Sequence, residues 1–333
     1  MPSPNVGNPE LRAQLVDRRG RLEAMLSRSR PTGTVESLIR DVDAALEKME
    51  QDRYGLCESC HDAIEPGRLA ADPLVRFCLD HLTSEQRSAL SQDLQLAGRI
   101  QKGLLPPEDL EAAGWQMHYR YQPLGPVSGD YCDIIRLPGG GGGFYFLLGD
   151  VSGKGVAASM LMAHLHAMFR SLAGLELPLD QLMNRGGRLF NESAIAGQFA
   201  TLICGRADAQ GRVELCSAGH LPVLVLAPAG VKRIESSGFP LGMFATASYT
   251  LERITLQRGE SLLLFTDGVS ESRDASGSEY GIERLMRIAG AAHPMPPREL
   301  TTACLRDIEG HLGGAGRSDD LTLMAIRRVA TSG

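Results

Sequence analysis

The sequence has few of the features that mark a secreted, membrane-bound or nucleic-acid-binding protein. Its longest apolar runs, "FYFLL" and "PVLVLAPA", are far shorter than the ~20 residues of a membrane-spanning helix. The first 15 residues contain no basic segment followed by an apolar one, so we expect no secretory signal. No five like charges follow one another, and 34 basic residues stand against 40 acidic ones. We therefore expect a cytoplasmic protein that contacts no membrane and binds no nucleic-acid backbone.

The remaining composition is that of a globular protein with more than one domain. Of its 333 residues, 43% are apolar and 22% charged, and this length predicts two domains with connecting segments. In a reducing cytoplasm, the seven cysteines are expected as thiols or metal ligands and not as disulfides.

Two amphipathic helices are predicted near the N-terminus. Apolar residues recur at helical spacing over 9 to 29 and again over 35 to 49, on either side of "SRPTGT". Such a pattern, interrupted by proline and glycine, predicts a helical hairpin. Its apolar faces pack either on each other or on a second copy of the chain.

Two pairs of metal-binding residue types follow the hairpin. Cys57 and Cys60 form C-x-x-C, Cys78 and His81 form C-x-x-H, and 17 residues separate the pairs. Two close pairs joined by a short loop supply the four tetrahedral ligands of zinc. His61 is a competing ligand, but it directly follows Cys60 and would strain the chelate. With four protein ligands, the predicted Zn²⁺ is structural and has no open coordination position.

The hairpin together with "YGLCESC" and "CLDH" resembles the DksA/TraR zinc-finger family over residues 10 to 82. This chain has His81 where that family usually has a cysteine. The predicted hairpin turn "SRSRPTGT" also lacks the acidic residues by which family members act in the RNA polymerase secondary channel. The resemblance therefore implies the fold but not the polymerase role.

A third helix is predicted over residues 84 to 103, before the prolines of "LLPPE". Leu90, Leu94, Ala97 and Leu104 form an apolar stripe along it. We expect this helix to connect two domains. Its stripe is either a homodimer contact or a surface that packs on its own domain.

From residue 114 onward, short strands predominate. Segments such as "WQMHYRYQ", "FYFLLGD", "RVELCSA" and "LTLMAIRR" alternate with turns, and helical segments stand among them in groups. This order predicts an α+β sandwich and not a parallel βαβ fold. We assign residues 1–82 to the hairpin and zinc finger, 83–107 to a linker helix and 108–333 to the C-terminal domain.

Aspartates lie at the ends of several predicted strands, next to glycine or serine. Carboxylates from different strand ends are the ligands that Mg²⁺ and Mn²⁺ prefer, and nearby glycines let the backbone approach an ion closely. One such aspartate is usually a turn former, but several in one sandwich indicate a cation site. They are Asp130, Asp133, Asp150, Asp267, Asp319 and Asp320.

The segment "GDVSGKG" superficially suggests a phosphate-binding loop. A P-loop requires serine or threonine after its lysine, whereas Gly155 follows Lys154 here. A nucleophile elbow around Ser152 is excluded as well, because Asp150 stands where its first glycine would be. The segment therefore offers Asp150 as a ligand, with the Val151 carbonyl beside it.

The ordered segments "LAGRIQKGLLP", "SGDYCD", "GDVSGKG", "SAGHLP", "FTDGVSE" and "SDDLTLMAI" resemble the PPM (type 2C) phosphatases of the SpoIIE/RsbU branch, over residues 95 to 328. The resemblance implies a β-sandwich flanked by helices (α/β/β/α) that holds two Mn²⁺ or Mg²⁺ ions. Asp130, Asp150, Asp267 and Asp319 become the catalytic residues, with Asp150 bridging both ions. The implied metal ligands are Asp130, Asp150, Val151, Asp267, Asp319 and Asp320.

The same resemblance implies hydrolysis of phosphoserine or phosphothreonine in a phosphoprotein by a metal-activated water. The expected substrate is an anti-sigma-factor antagonist of the STAS type, in a partner-switching pathway. Asp133, Lys154 and His220 are expected neighbours of the site. Lys154 is either a phosphate-attracting residue or a solvated loop lysine, and His220 either contacts the site or supports a loop. The alternative function is a catalytically silent or sensory adaptor that acts on transcription through its zinc domain.

Overall fold

The structure is a computed structural model that describes residues 9–26, 33–51, 53–81, 84–137, 143–193, 197–244 and 247–329. The chain divides into two compact units, Met1–Gln92 and Asp93–Gly333. Among the helices that the structure describes, none combines the length and apolar character needed to cross a membrane.

The first unit contains the predicted hairpin and zinc-finger segment. Its helices are α1 (Pro9–Leu26), α2 (Gly33–Glu50) and the short α3 (Pro66–Ala71), and a 3₁₀ turn spans Leu79–His81. Leu15 and Val42 are fully buried between the two long helices, and Cys57 and Ile64 extend this core into the zinc-finger segment. The centre of the predicted hairpin turn, residues 27–32, lies outside the described residues.

The third predicted helix is α4 (Ser84–Leu104), within one residue of the predicted bounds. The chain divides into its two units inside this continuous helix, between Gln92 and Asp93.

Eleven described strands in the second unit form two antiparallel sheets. The first sheet has the order β1-β2-β11-β10-β7-β8 and the second has the order β3-β4-β5-β6-β9. The strands are β1 (Asp109–Ala112), β2 (Trp115–Gln122), β3 (Tyr131–Arg136), β4 (Phe144–Val151), β5 (Ala200–Ala207), β6 (Arg212–Ala218), β7 (Val223–Ala227), β8 (Gly230–Ile234), β9 (Leu251–Thr255), β10 (Ser261–Phe265) and β11 (Leu321–Arg328).

Helices cover the outer face of each sheet. On the second sheet lie α5 (Val156–Ala173) and α6 (Leu179–Ser193), and on the first lie α8 (Ile282–Ala292) and α9 (Pro297–Leu312). Between β10 and α8, the helix α7 (Asp267–Ser270) is one turn long. A separate apolar core fills each of the three spaces between adjacent layers. The predicted α/β/β/α sandwich is therefore confirmed.

In the second unit, three strands, the helix α8 and the one-turn α7 were not predicted from the sequence. Strand β8 is a largely exposed edge strand that carries lysine and arginine, and β1 has only four residues. Strand β3 contains a buried aspartate, and α8 has an alanine- and glycine-rich C-terminal half. The local patterns of the three strands are weak because tertiary contacts, and not strong intrinsic preferences, stabilise them.

Candidate active site and zinc site

The four predicted zinc ligands lie together in the first unit. The ligand atoms of Cys57, Cys60, Cys78 and His81 are all within 4.8 Å of one another, and they form the one such group found among the described residues. The Cys78 Sγ lies 3.1 Å from the His81 Nδ1 and 3.8 Å from the Cys60 Sγ. Three soft thiols and one imidazole at this spacing fit a structural zinc.

The backbone around Cys57 favours its thiolate form. Burial of the thiol opposes ionisation, but hydrogen bonds from the backbone of Cys60, Cys78 and Ser59 lower the pKa of Cys57 to about 6. A thiolate is the form that binds zinc. The competing ligand His61 is exposed and stands outside the four-residue group.

In the second unit, strand alternation directs the catalytic candidates into the space between the two sheets. The alternate residues Phe144, Phe146 and Leu148 of β4 face the inter-sheet core, so Asp150 two residues later points the same way. Asp267 follows β10 after one residue, and Asp319 and Asp320 directly precede β11, which pairs with β10. These strand ends meet at one edge of the sandwich.

Two glycines allow the segments at this edge to approach each other closely. A Cβ on Gly129 would lie 3.1 Å from the Val151 carbonyl oxygen and 3.4 Å from the Asp150 Oδ1. A Cβ on Gly268 would collide with the Asp320 carbonyl oxygen. Any larger residue at Gly268 would therefore separate Asp267 from the segment that carries Asp319 and Asp320.

The carboxylates at this edge raise one another's pKa. Burial, followed by the charges of Asp267, Asp319 and Asp320, raises the pKa of Asp150 to about 7. Burial and then Asp319 raise the pKa of Asp267. Clustered carboxylates without a counter-charge are unfavourable, and divalent cations would relieve this repulsion.

Asp130 is the most deeply buried member of the group, at 1% exposure. Its Oδ2 accepts hydrogen bonds from the hydroxyls of Thr266, at 3.0 Å, and Thr322. Its Oδ1 has no hydrogen-bond partner in the described part of the chain. Burial and then the charge of Asp150 hold the pKa of Asp130 well above its usual range. A fixed carboxylate with one free buried oxygen fits a metal ligand.

Asp320 fastens the loop that precedes Asp130. Its Oδ1 accepts a hydrogen bond from the Leu124 N–H at 2.7 Å, and its Oδ2 accepts one from the Gly129 N–H at 2.9 Å. Sequence reasoning assigned Asp320 only as a ligand. The structure adds this connection between β11 and the Asp130 loop.

Lys154 lies beside the acidic group. Its Nζ is 2.8 Å from the Asp319 Oδ2 and donates a hydrogen bond to the Ser318 carbonyl at 2.7 Å. The lysine therefore places a positive charge at the edge of the site. The ion pair places Lys154 beside a proposed ligand while its side chain is 58% exposed, so the phosphate-attracting role and the solvated loop lysine both stay predictions.

His220 supports the strand next to Asp150. Its Nδ1 lies 2.9 Å from the Thr201 Oγ1, and Thr201 pairs with Asp150 across β5 and β4. Burial lowers the pKa of His220 to about 4, so the imidazole is neutral at physiological pH. The histidine therefore braces, through Thr201, the strand end that carries Asp150.

Asp133 does not join the acidic group. Alternation along β3 places it on the face covered by α5, where Arg170 donates hydrogen bonds of 2.8 Å to both of its carboxylate oxygens. The expectation of Asp133 as a neighbour of the site rested on its closeness to Asp130 in sequence. Asp130 precedes the strand, whereas Asp133 lies within it and faces the helices.

Gln101 of α4 was missed by sequence reasoning. Its buried side chain donates a hydrogen bond to the Ser128 carbonyl at 2.7 Å and accepts one from the Ser128 N–H at 2.9 Å. Close by, a Cβ on Gly98 would collide with the Pro126 carbonyl oxygen. Helix α4 thus holds the loop that leads to Asp130, and a lone glutamine in an amphipathic helix gave no signal of this.

Two family models match the chain. Residues 140–329, more than half of the chain, match "Stage II sporulation protein E (SpoIIE)". Residues 52–80 match "Prokaryotic dksA/traR C4-type zinc finger". The fourth residue of the zinc group, His81, lies one position beyond that second match and is not a cysteine.

Two individual proteins are also similar to the chain. The chain is 29% identical to Protein IcfG of Synechocystis sp. over 265 residues, which cover 71% of this chain and 41% of IcfG. It is 22% identical to Phosphoserine phosphatase RsbU of Bacillus subtilis over 247 residues, which cover 72% of this chain and 71% of RsbU.

Among solved structures, the RsbU and RsbW domains of Rv1364c from Mycobacterium tuberculosis share the fold. The TM-score is 0.58 at 24% sequence identity, over 69% of this chain and 63% of that one. With the sandwich, the acidic group and the matched segment together, the chain belongs to the SpoIIE family of PPM (PP2C-type) phosphatases and carries a DksA/TraR-type zinc finger near its N-terminus.

Proposed function

We propose that the second unit is a protein serine/threonine phosphatase that depends on two Mn²⁺ or Mg²⁺ ions. The observation that carries this proposal is the group of strand-end aspartates, in which burial and mutual repulsion raise the pKa of Asp150 to about 7. The free buried Oδ1 of Asp130 supports the same conclusion. Such a group costs folding free energy unless cations bind to it.

The proposed ligands form two sides around Asp150. In this proposal Asp130 binds on one side, Asp267 and Asp319 bind on the other, and the Val151 carbonyl helps to hold one of the ions. Asp320 stays a proposed ligand, and its hydrogen bonds to Leu124 and Gly129 hold the Asp130 loop in place. Bound divalent cations supply a water of lowered pKa and neutralise charge on the phosphoryl oxygens.

The other side chains position the ligands and the substrate. Thr266 and Thr322 fix the orientation of the Asp130 carboxylate through its Oδ2. Lys154 reduces the negative potential at the edge of the site, where the phosphate dianion of the substrate must enter. No side chain is required as a covalent nucleophile, because the attacking group is water.

Hydrolysis of p-nitrophenyl phosphate by the purified full chain with Mn²⁺ tests the proposal. We expect metal-dependent turnover that falls at least about 100-fold in Asp150→Asn, since metal-ion catalysis supplies several kcal/mol. Glu299→Gln, an exposed change on α9, is the matched control and should retain full turnover. Absence of metal-dependent turnover, or equal turnover in Asp150→Asn, would refute the proposal.

For the physiological substrate, we propose a phosphorylated anti-sigma-factor antagonist of the STAS type in a partner-switching pathway. The similarity to RsbU, whose name describes a phosphoserine phosphatase, supports this substrate class. The architecture of Rv1364c, which contains both RsbU and RsbW domains, is consistent with such a pathway.

We also propose that α4 mediates a homodimer. Leu94, Ala97 and Leu104 of the predicted stripe are partly buried, whereas Leu96 and Ile100 are 48% and 61% exposed. These two residues lie on one adjacent face of the helix, because they are four positions apart. The exposed apolar pair is the feature that supports a contact between two copies of α4.

A further inference from the structure

The loop 238–244, between β8 and β9, exposes three large apolar side chains. Phe239, Met243 and Phe244 are 60%, 44% and 49% exposed. The two phenylalanine rings contact each other edge to face, with centroids 4.8 Å apart. Neither ring belongs to an apolar core formed by the described residues. These rings therefore contribute little to folding, and we call the pair the aromatic rim.

The loop that carries the aromatic rim is hydrogen-bonded to the strand next to Asp150. Leu241, in the middle of the loop, exchanges backbone hydrogen bonds of 2.8 and 2.9 Å with Ala200. Ala200 in turn pairs with Val151, next to Asp150. Adjacent strands are ~4.8 Å apart, so the Leu241 backbone lies roughly 10 Å from that of Val151.

The helix that follows the Asp150 segment also exposes apolar side chains. Helix α5 begins at Val156, immediately after the segment "GDVSGKG", and Val156 and Met160 are 50% and 69% exposed. Apolar surface thus occurs both on the loop that pairs with Ala200 and on the helix that follows Asp150 in the sequence. Exposed apolar residues concentrated at a functional site indicate a binding surface.

A phosphoprotein substrate is the occupant that this position favours. A protein interface covers ~800 Å² on each partner, an area much wider than a phosphate-binding centre. A protein that delivers a phosphoserine to Asp150 must therefore also cover surface ~10 to 15 Å away, where the aromatic rim lies. Aromatic side chains are enriched at the centres of such interfaces.

We propose that Phe239 and Phe244 bind an apolar side chain of the phosphoprotein substrate, three to five residues from its phosphoserine. An extended chain advances ~3.3 Å per residue, so this separation spans the ~10 to 15 Å from Asp150 to the rim. The inference rests on the proposed phosphatase function and adds a specificity-determining surface to it.

Two phosphoserine peptides of 11 residues test the inference. One carries leucine four residues before and four residues after a central phosphoserine, and the other carries serine at both places. The readout is the ratio of kcat/KM for the leucine peptide to that for the serine peptide, measured by phosphate release from the full chain with Mn²⁺. Both peptides contain the same phosphoserine, so a variant that changes its rate of hydrolysis changes both kcat/KM values equally and leaves their ratio unaltered.

For the wild type we expect a ratio of about 10, the usual effect of one well-placed apolar contact. The double variant Phe239→Ser/Phe244→Ser should give a ratio near 1. Leu175→Ser is the matched control, because Leu175 is 51% exposed but lies just beyond the opposite end of α5. It should preserve the wild-type ratio. Phe239→Ser alone, which alters the more exposed ring, provides the same comparison if the double variant does not fold.

A wild type that turns over p-nitrophenyl phosphate but gives a ratio near 1 would overturn the inference and leave the proposed function intact. A double variant that keeps the wild-type ratio would overturn it too. If the variants change the molecular mass by light scattering while the ratio persists, the rim binds a second copy and the inference is wrong. Absence of metal-dependent turnover of p-nitrophenyl phosphate would instead refute the function on which it rests.

Discussion

At the scale of single residues, Asp150 shows how the site keeps a proton when no cation is bound. Burial and three neighbouring aspartates raise the pKa of this carboxyl to about 7, compared with about 4 for an ordinary aspartate. A group with a raised pKa in the folded state stabilises the fold below its unfolded pKa, and this stabilisation is lost as the pH rises through the folded pKa. The metal-free protein should therefore become less stable as the pH rises from about 4 to 7.

The affinity for Mn²⁺ should increase as the pH rises, whereas the stability of the metal-free protein decreases. Because the cation must displace at least one proton from the acidic group, affinity should rise about tenfold per pH unit up to pH ~7 and level off above it. Calorimetric titration with Mn²⁺ between pH ~5.5 and ~8 measures this slope. A constant affinity over that range would show that Asp150 is already ionised in the free protein.

Gln101 is a second residue whose surroundings allow a specific prediction. Gln101→Leu keeps the approximate size of the side chain but removes both hydrogen bonds to the Ser128 backbone. Each buried backbone group left without a partner costs ~1–3 kcal/mol, so the loss of both partners should lower the free energy of unfolding of the second unit by about 2–6 kcal/mol. Mn²⁺ affinity should fall as well, because Ser128 precedes Asp130 by two residues.

Chemical denaturation and Mn²⁺ titration of Gln101→Leu provide the measurement. Gln95→Leu makes the same change at an exposed position of α4 and serves as the control. Unchanged Mn²⁺ affinity in Gln101→Leu would show that the Asp130 loop is positioned without help from α4.

At the scale of elements, two faces of α4 have different surroundings. The face with Gln101 packs on its own unit, and Gly98 permits close contact with the Pro126 backbone. The neighbouring face leaves Leu96 and Ile100 exposed. The sequence left open whether the apolar stripe packs internally or forms a dimer. Most residues of the predicted stripe are partly buried against their own unit. A different pair, Leu96 and Ile100, is exposed and is available to a partner.

The proposed dimer contact predicts the effect of one double substitution. Leu96→Ser/Ile100→Ser removes two exposed apolar side chains and should convert a dimer to a monomer at about 10 μM, since each buried leucine-sized side chain contributes ~1.5–3 kcal/mol. Light scattering coupled to size-exclusion chromatography measures the mass. Gln95→Ser on the same helix should remain dimeric, and a monomeric wild type would contradict the proposal.

At the scale of the whole molecule, the two units possess separate cores. The core of the first unit includes two of the predicted zinc ligands, Cys57 and Cys78, whereas the three cores of the second unit lie between its sheets and helices. In small units of this kind, zinc binding supplies folding free energy directly. Loss of zinc should therefore unfold the first unit and leave the sandwich folded.

Metal analysis and calorimetry of the full chain test this expectation. The wild type should contain one zinc per chain and show two melting transitions. Cys57→Ser/Cys60→Ser should lose the zinc and the transition of the first unit, while the other transition persists. Cys304→Ser, at a buried cysteine between α9 and the first sheet, should keep its zinc. Retention of stoichiometric zinc in the double variant would refute the assigned ligands.

The sequence by itself determined the features that depend on local spacing. The paired zinc ligands, the alternation of β2, β6 and β11 and the helical periodicity of α4 and α5 were readable because each depends on residues a few positions apart. Likewise, the aspartates beside glycine or serine at strand ends indicated a cation site before any contact was known.

Only the tertiary structure decided which side chains share a space. It separated Asp130 from Asp133, which are three residues apart but belong to opposite sides of one sheet, and it joined Asp320 to Gly129 across the two sheets. It also joined Gln101 to Ser128 and paired the loop that carries the aromatic rim with Ala200, which in turn pairs with Val151. These relations depend on strand order and on the packing of layers, and neither is encoded in a short stretch of chain.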